Sequence, residues 1–262
     1  MAEGIQGRML WYQLNTSDLD AGVEFYKGLI GWGTEMFTPP GGSPYTMFTR
    51  GGMPIGGAMT LMAEAKAAGS PPHWLSYVGA DDVDATYAKA MAAGAKSYVA
   101  PADIPEVGRF AVIADPAGAI FAIYTPGSQP PPEGELELGD VSWHEISGDD
   151  LEQSWGFYQS VFGWEVKQEM DMGPGGMYRI FGRPGHDRMI GGMYKRSPEM
   201  PANTWAIYFL VDDLNQRIAQ AEKEGSKIVM PVMEVPGGDH VVGMTDPQGV
   251  YFSMHQKGAL KS

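Results

Sequence analysis

The chain contains no cysteine, which removes disulfides, thiolate metal ligands and a cysteine nucleophile from consideration. No stretch approaches the roughly 18 consecutive apolar residues of a membrane span. The opening MAEGIQGRML also lacks the apolar run of a secretory leader, so the expectation is a cytoplasmic protein with no membrane partner. Positive charge is scarce as well. Eighteen Lys and Arg against 32 Asp and Glu give 18 − 32 = −14, with no basic cluster to break the acidic background. Such a surface repels phosphate backbones and anionic lipid, which leaves no nucleic acid among the expected partners. With 44% hydrophobic residues in 262, the chain has enough apolar material for two packed cores.

What the sequence has in quantity is repetition. Residues 11–32, WYQLNTSDLDAGVEFYKGLIGW, are nearly rewritten at 143–164, WHEISGDDLEQSWGFYQSVFGW. Aligned without a gap, they share Trp11/Trp143, Asp18/Asp150, Leu19/Leu151, Phe25/Phe157, Tyr26/Tyr158, Gly31/Gly163 and Trp32/Trp164, at an offset of 150 − 18 = 132 residues. In each copy a β-prone run leads to an Asp suited to capping a helix. Leu19, Val23, Tyr26 and Ile30 then fall at i, i+4, i+7 and i+11, as do Leu151, Trp155, Tyr158 and Phe162. That spacing predicts a helix with one buried face, and it puts Phe25, Tyr26, Phe157 and Tyr158 in a core.

Residues 34–60 alternate short β-prone runs with Pro39-Pro40-Gly41-Gly42 and Gly51-Gly52, a pattern that suits an antiparallel meander. After a loop-like 63–72 come a strand at 74–78 and a helix opened by Asp81-Asp82 and stopped at Gly94. Short strands follow at 97–100, 110–114 and 119–124, with the turn Asp115-Pro116-Ala117-Gly118 between the last two. The order returns in the second half, where Asp212-Asp213 and Asp246-Pro247-Gln248-Gly249 echo their counterparts at an offset of 131. The expected architecture is α+β: four βαβββ modules in two tandem domains, 1–127 and 140–262, each with a cup-shaped, mostly antiparallel sheet. The Pro-rich, acidic 128–139 reads as a stiff, solvated linker. Whether module one pairs with module two or with module four stays open.

The strand-Asp-Leu-helix-Phe-Tyr-(x)4-Gly-Trp block resembles the vicinal oxygen chelate superfamily, as do the Gly-Gly meander, the second Asp-Asp helix start and the terminal Asp-Pro-x-Gly strand. That superfamily includes glyoxalase I, extradiol dioxygenases, fosfomycin-resistance enzymes and bleomycin-binding proteins; within it the chain is similar to two-domain glyoxalase-like proteins of bacteria. The resemblance implies one ligand-binding cup per domain and, for the usual chemistry, a divalent metal held by His, Gln or Glu on the cup strands. Carried over position by position, those ligands fall on Trp11, Leu75 and Ala122 in the first half and on Trp143, Ala206 and Ser253 in the second. Only the serine has a usable lone pair, so no metal and no other cofactor is expected. A register slip of two residues brings His73 into the first cup and His255 into the second, one imidazole each.

Strand alternation places Trp11, Gln13, Tyr77 and Tyr124 in the first cup, with Arg109 beside them. It places Trp143, Glu145, Tyr208, Ser253 and His255 in the second, where His240 matches Arg109. Cups rich in Trp and Tyr with few polar groups suit a flat or apolar small molecule. The leading reading is a metal-free small-molecule binding protein, monomeric or homodimeric, resembling the bleomycin-binding branch. The alternative is a lyase, isomerase or dioxygenase-type enzyme, using either a metal on non-family ligands (His255, Glu145, His73) or Glu145 and His255 as a metal-free acid–base pair.

Overall fold

The computed structural model describes residues 4–198, 200 and 202–261. Module one runs β1 (Met9–Thr16), α1 (Leu19–Ile30), β2 (Gly33–Phe37), β3 (Tyr45–Arg50) and β4 (Met53–Thr60), followed by a short helix α2 (Ala63–Ala67). Module two is β5 (His73–Gly79), α3 (Val83–Ala92), β6 (Lys96–Ile104), β7 (Gly108–Ala114) and β8 (Ile120–Pro126). Module three is β9 (Val141–Gly148), α4 (Leu151–Phe162), β10 (Glu165–Asp171), β11 (Met177–Gly182) and β12 (Met189–Lys195). Module four is β13 (Trp205–Leu210), α5 (Leu214–Lys223), β14 (Lys227–Glu234), β15 (His240–Thr245) and β16 (Tyr251–Gln256). The four βαβββ modules and the α+β class are those expected. Beyond the module elements lie α2 and a 3-10 turn at Gly173–Gly175; the Ala-Glu-Ala-Lys-Ala of α2 has strong intrinsic helix preference, but it buries no residue, so it leaves no apolar periodicity to read.

Asp18, Asp82, Asp150 and Asp213 sit in extended conformation before their helices, and each accepts a hydrogen bond from the amide three residues on. They satisfy donors that the first helical turn leaves open. Gly31 and Gly163 end α1 and α4 in the left-handed region, at φ 86° and 73°, where a side chain would be strained.

The strands make two open eight-stranded sheets, ordered β2-β3-β4-β1-β5-β8-β7-β6 and β10-β11-β12-β9-β13-β16-β15-β14. Hairpins on both flanks are antiparallel, while β1/β4, β5/β8, β9/β12 and β13/β16 pair in parallel. Among the described residues no helix is long and apolar enough to cross a membrane.

The chain forms two compact units, and each crosses the sequence repeat. Module three from Trp143 on and module two from Ser76 on, with the N-terminal segment up to Trp11 and with Trp205, make one; module one from Tyr12 on and module four from Ala206 on, with residues 73–75 and 132–142, make the other. The unit of modules one and four buries Leu14, Tyr26, Leu29 and Phe48 together with Phe209, Val242 and Phe252. Ring centres there lie 5.6 Å apart for Tyr26 and Phe252 and 5.1 Å for Trp32 and Phe209. The unit of modules two and three repeats the scheme with Phe121 5.6 Å from Tyr158, and with Trp164 stacked 4.4 Å from Phe181. Such pairs contribute about 0.5–1.5 kcal/mol each beyond area burial.

The polar ends of these rings also find partners across the repeat. The Tyr26 hydroxyl donates to Asp246 Oδ2 at 3.2 Å and the Tyr158 hydroxyl to Asp115 Oδ2 at 2.9 Å. Each Asp opens an Asp-Pro-x-Gly turn and accepts two of its amides through Oδ1. Trp32 Nε1 donates to the Gly139 carbonyl at 2.9 Å, as Trp164 Nε1 does to Gly7 at 3.0 Å. Arg50 bonds Asp140 and Glu137, both at 2.6 Å. The end of the Pro-rich segment, expected to be solvated throughout, is thus docked, because its carbonyl and carboxylates satisfy an indole and a guanidinium of module one.

Candidate functional site

Leu14 and Ile146 are fully buried in the cores, so alternation along β1 and β9 turns Gln13, Asn15, Trp143 and Glu145 to the opposite face of each sheet. In the unit of modules one and four, β1 supplies the start of a hydrogen-bonded chain. The Tyr45 hydroxyl lies 3.4 Å from Gln13 Oε1; Gln13 Nε2 donates to Asn15 Oδ1 at 3.0 Å and approaches Met59 Sδ at 3.1 Å. Asn15 Nδ2 is 3.4 Å from His73 Nε2, while His73 Nδ1 is 2.8 Å from the Pro71 carbonyl. A carbonyl only accepts, so Nδ1 carries the proton and Nε2 presents its lone pair to Asn15. Burial lowers the pKa of His73 and outweighs the opposing Pro71 bond; the ring is neutral at pH 7.

In the other unit the corresponding group is shorter and more aromatic. Trp143 Nε1 donates to the Tyr178 hydroxyl at 2.9 Å, and that hydroxyl donates to Glu145 Oε1 at 2.8 Å. Tyr178 stacks on Tyr194 with rings 12° from parallel. Burial, then the Glu145 charge, raises the Tyr178 pKa well above its ordinary value, so the phenol keeps its proton. Both arrangements depend on a glycine. Tyr45 lies across Gly57 and Tyr178 across Gly192, each the second glycine of a Gly-Gly pair, and a Cβ at either would collide with the ring. Neither tyrosine was among the expected site residues. The signal available was a Tyr at the start of the strand before each Gly-Gly pair, Tyr45 in β3 and Tyr178 in β11.

The remaining expected residues divide. Tyr77 and Tyr124 come together as an edge-to-face pair 6.0 Å apart, with the Tyr124 hydroxyl on the Val107 carbonyl at 2.9 Å. Arg109, expected beside the first cup, instead binds Asp84 of α3 through two bonds and Asp103 of β6. A planar fork meets a carboxylate best in pairs, and α3 offers one at its first turn. His240 holds the Gly258 carbonyl at 3.0 Å through Nδ1. Tyr208 is buried, and Ser253 is fully buried with its hydroxyl 3.3 Å from that of Tyr251.

Glu145 and His255, read as an acid–base pair, each have partners from their own unit: Tyr178 for Glu145, Asp239 and Ser142 for His255. A groove of about 710 Å³ lies elsewhere, under the docked Pro-rich segment, lined by Arg50, Glu137, Asp212 and Lys257 among others. Among the described residues no group of three or more His, Asp or Glu side chains converges in a way that could hold a metal ion. The positions onto which the resemblance carries the family ligands hold Trp11, Leu75, Ala122, Trp143, Ala206 and Ser253, of which only the serine has a lone pair to offer a divalent cation.

Residues 8–123 and 141–254 each match the sequence profile of the Glyoxalase/Bleomycin resistance protein/Dioxygenase superfamily. The chain is 31% identical over 252 residues to a Mycobacterium tuberculosis protein named "Putative glyoxylase CFP32", covering 95% of this chain and 94% of that one. It is 27% identical over 263 residues to the "Anthracycline biosynthesis protein DauV" of Streptomyces sp. strain C5, covering 95% and 92%. Among solved structures, the Mn(II)-bound glyoxalase from Novosphingobium aromaticivorans superposes with a TM-score of 0.66 at 13% identity, over 97% of this chain and 83% of that one. The 2,2',3-trihydroxybiphenyl 1,2-dioxygenase of Sphingomonas wittichii gives 0.64 at 14% identity, over 100% and 92%. At those identities the likeness is one of fold.

Proposed function

The chain belongs to the Glyoxalase/Bleomycin resistance protein/Dioxygenase superfamily, and from that premise we propose that it binds a small, flat aromatic molecule on the inner faces of its sheets, without the family metal. The observation that carries this reading is the repeated placement of a tyrosine across a glycine onto the polar side chain of the first strand, Tyr45 to Gln13 and Tyr178 to Glu145. Beside the Trp143 indole stand the Tyr178 phenol and the Glu145 carboxylate, and in the other unit the Tyr45 phenol stands beside the Gln13 amide. Aromatic faces supply contact area, and the few fixed hydrogen-bonding groups orient a ring system. The name of the Streptomyces relative, which refers to anthracycline biosynthesis, supports a ring system of that kind.

The test is titration with an anthracycline, followed by tryptophan fluorescence, for the wild type, Trp143→Phe and Trp11→Phe, together with metal analysis of the protein purified without added metal. Saturable quenching that Trp143→Phe or Trp11→Phe weakens, with no stoichiometric metal, is expected. Stoichiometric Mn, Fe, Ni or Zn whose removal abolishes binding overturns the metal-free reading.

A second reading, metal-free catalysis by His255, is favoured by one contact. Nε2 of its imidazole lies 2.9 Å from Asp239 Oδ2, which fixes one tautomer of the neutral ring and makes Nδ1, 2.9 Å from the Ser142 hydroxyl, the nitrogen that accepts a proton.

A further inference from the structure

Ser142, His255 and Asp239 lie in one compact unit and are joined in a line. Asp239 Oδ2 is 2.9 Å from His255 Nε2, and His255 Nδ1 is 2.9 Å from Ser142 Oγ. A carboxylate only accepts, so in the neutral imidazole Nε2 carries the proton and Nδ1 is the acceptor for the Ser142 hydroxyl. Asp239 is itself oriented: its Oδ1 accepts from the Gly258 amide at 2.8 Å. Partial burial acts to raise its pKa, but the Gly258 amide and the His255 ring outweigh it and keep the carboxyl below its ordinary value. His255 is 14% exposed and Asp239 33%, so the line is sheltered without being sealed. The competing acceptor for Ser142, the Tyr208 carbonyl, is farther away at 3.2 Å. Acid, base and hydroxyl in this order are what activate a serine on unrelated folds, there with Nε2 towards the serine and Nδ1 towards the acid; here the two ring nitrogens exchange places while the roles stay the same.

We infer that Ser142 is a nucleophile activated by His255, able to take an acyl group from an activated carboxylic ester. In that step Ser142 Oγ bonds to the carbonyl carbon and its proton passes to His255 Nδ1. The ester C–O bond breaks, and the leaving oxygen takes the proton from His255. Water then attacks the acyl-serine by the same route in reverse, releasing the carboxylic acid and restoring the hydroxyl. Asp239 holds the ring in the tautomer that accepts at Nδ1 and stabilises it while it is protonated.

The inference goes beyond ligand binding on the inner faces and fails separately from it. The experiment treats the full chain with a fluorophosphonate probe and with p-nitrophenyl acetate, then maps adducts by peptide mass spectrometry. A single adduct on Ser142 is expected, absent in Ser142→Ala and formed at least 100-fold more slowly in His255→Gln. Asp239→Asn, in which the fold is unchanged by circular dichroism, is expected to slow labelling at least tenfold. No adduct on Ser142 in the wild type overturns the inference, whatever the variants do. So does labelling at an unchanged rate in a folded His255→Gln, since the hydroxyl would then be reacting without its base. Anthracycline quenching that persists in Ser142→Ala leaves the binding reading standing under either outcome.

Discussion

At neutral pH the buried His144 imidazole is uncharged: burial holds its pKa at about 4 against an ordinary 6.5, its Nδ1 bond to the Ile190 carbonyl opposing only in part. The unfolded chain therefore binds a proton in the interval where the folded one does not. Stability present above pH 6.5 is lost as pH falls towards 4, by about 3 kcal/mol for this group alone. Asp115 and Asp246, which burial raises, act with the opposite sign. Their contribution is full below the unfolded carboxyl value and is lost as pH rises through the folded one. The difference between wild type and His144→Asn isolates the imidazole. Urea midpoints measured from pH 7 to pH 4 are expected to fall more steeply for the wild type, and parallel curves would refute the assignment. A second residue-level expectation concerns Gly192, whose new Cβ in Gly192→Ala meets the Tyr178 ring. Overpacking of this kind costs about 1–3 kcal/mol. It also moves the phenol off Glu145, so anthracycline affinity should drop about tenfold if this face is the working one, while Gly57→Ala should leave it within twofold. The reverse ranking would assign function to the Gln13 face.

At the scale of elements, the caps, the helix faces and the Asp-Pro-x-Gly turns were legible because they are local: Asp18 speaks for the amide of Ala21 and Asp150 for that of Gln153. The site was legible only in part. Strand alternation turns Gln13 and Glu145 away from the buried Leu14 and Ile146, yet what those groups touch is set by residues distant in sequence. Tyr178 is 33 residues from Glu145, and Ser142 is 113 from His255. Arg109 shows the same limit, since its place was read from a repeat offset while its partner Asp84 lies 25 residues back on α3. The tyrosine–aspartate latches are likewise non-local, and they make α4 dependent on the turn of another module. Tyr158→Phe removes the donor to Asp115 and the acceptor of Trp205 Nε1, which lies 2.8 Å from that hydroxyl. Leaving buried polar groups unpaired costs about 1–3 kcal/mol, so a loss of about 2 kcal/mol by chemical denaturation is expected. Combining it with Asp115→Asn should cost less than the sum of the single changes, because both break the same latch. Strict additivity would show that the latch carries no energy.

For the whole molecule, the repeat and the packing divide the chain in different ways, and this decides how it responds to being cut. The duplication at 132 residues marks two tandem domains, 1–127 and 140–262, and leaves the pairing of the modules open. The cores join module one to module four and module two to module three. A fragment ending at 127 keeps Tyr26, Phe48 and Trp74 but lacks Phe209 and Phe252, which cover them in the full chain. It would expose an apolar face of the size that drives association. Each fragment expressed alone is therefore expected to aggregate or to lack near-ultraviolet circular dichroism, while co-expressed 1–127 and 140–262 assemble into a soluble 1:1 complex with the wild-type spectrum. Cleavage at a protease site inserted near Gln129 should leave the pieces associated in size-exclusion chromatography until denaturant is added. Residues 137–140 remain docked on Arg50 and Trp32 after such a cut. A monomeric, cooperatively folding 1–127 would mean that the crossed cores are not what holds the molecule together.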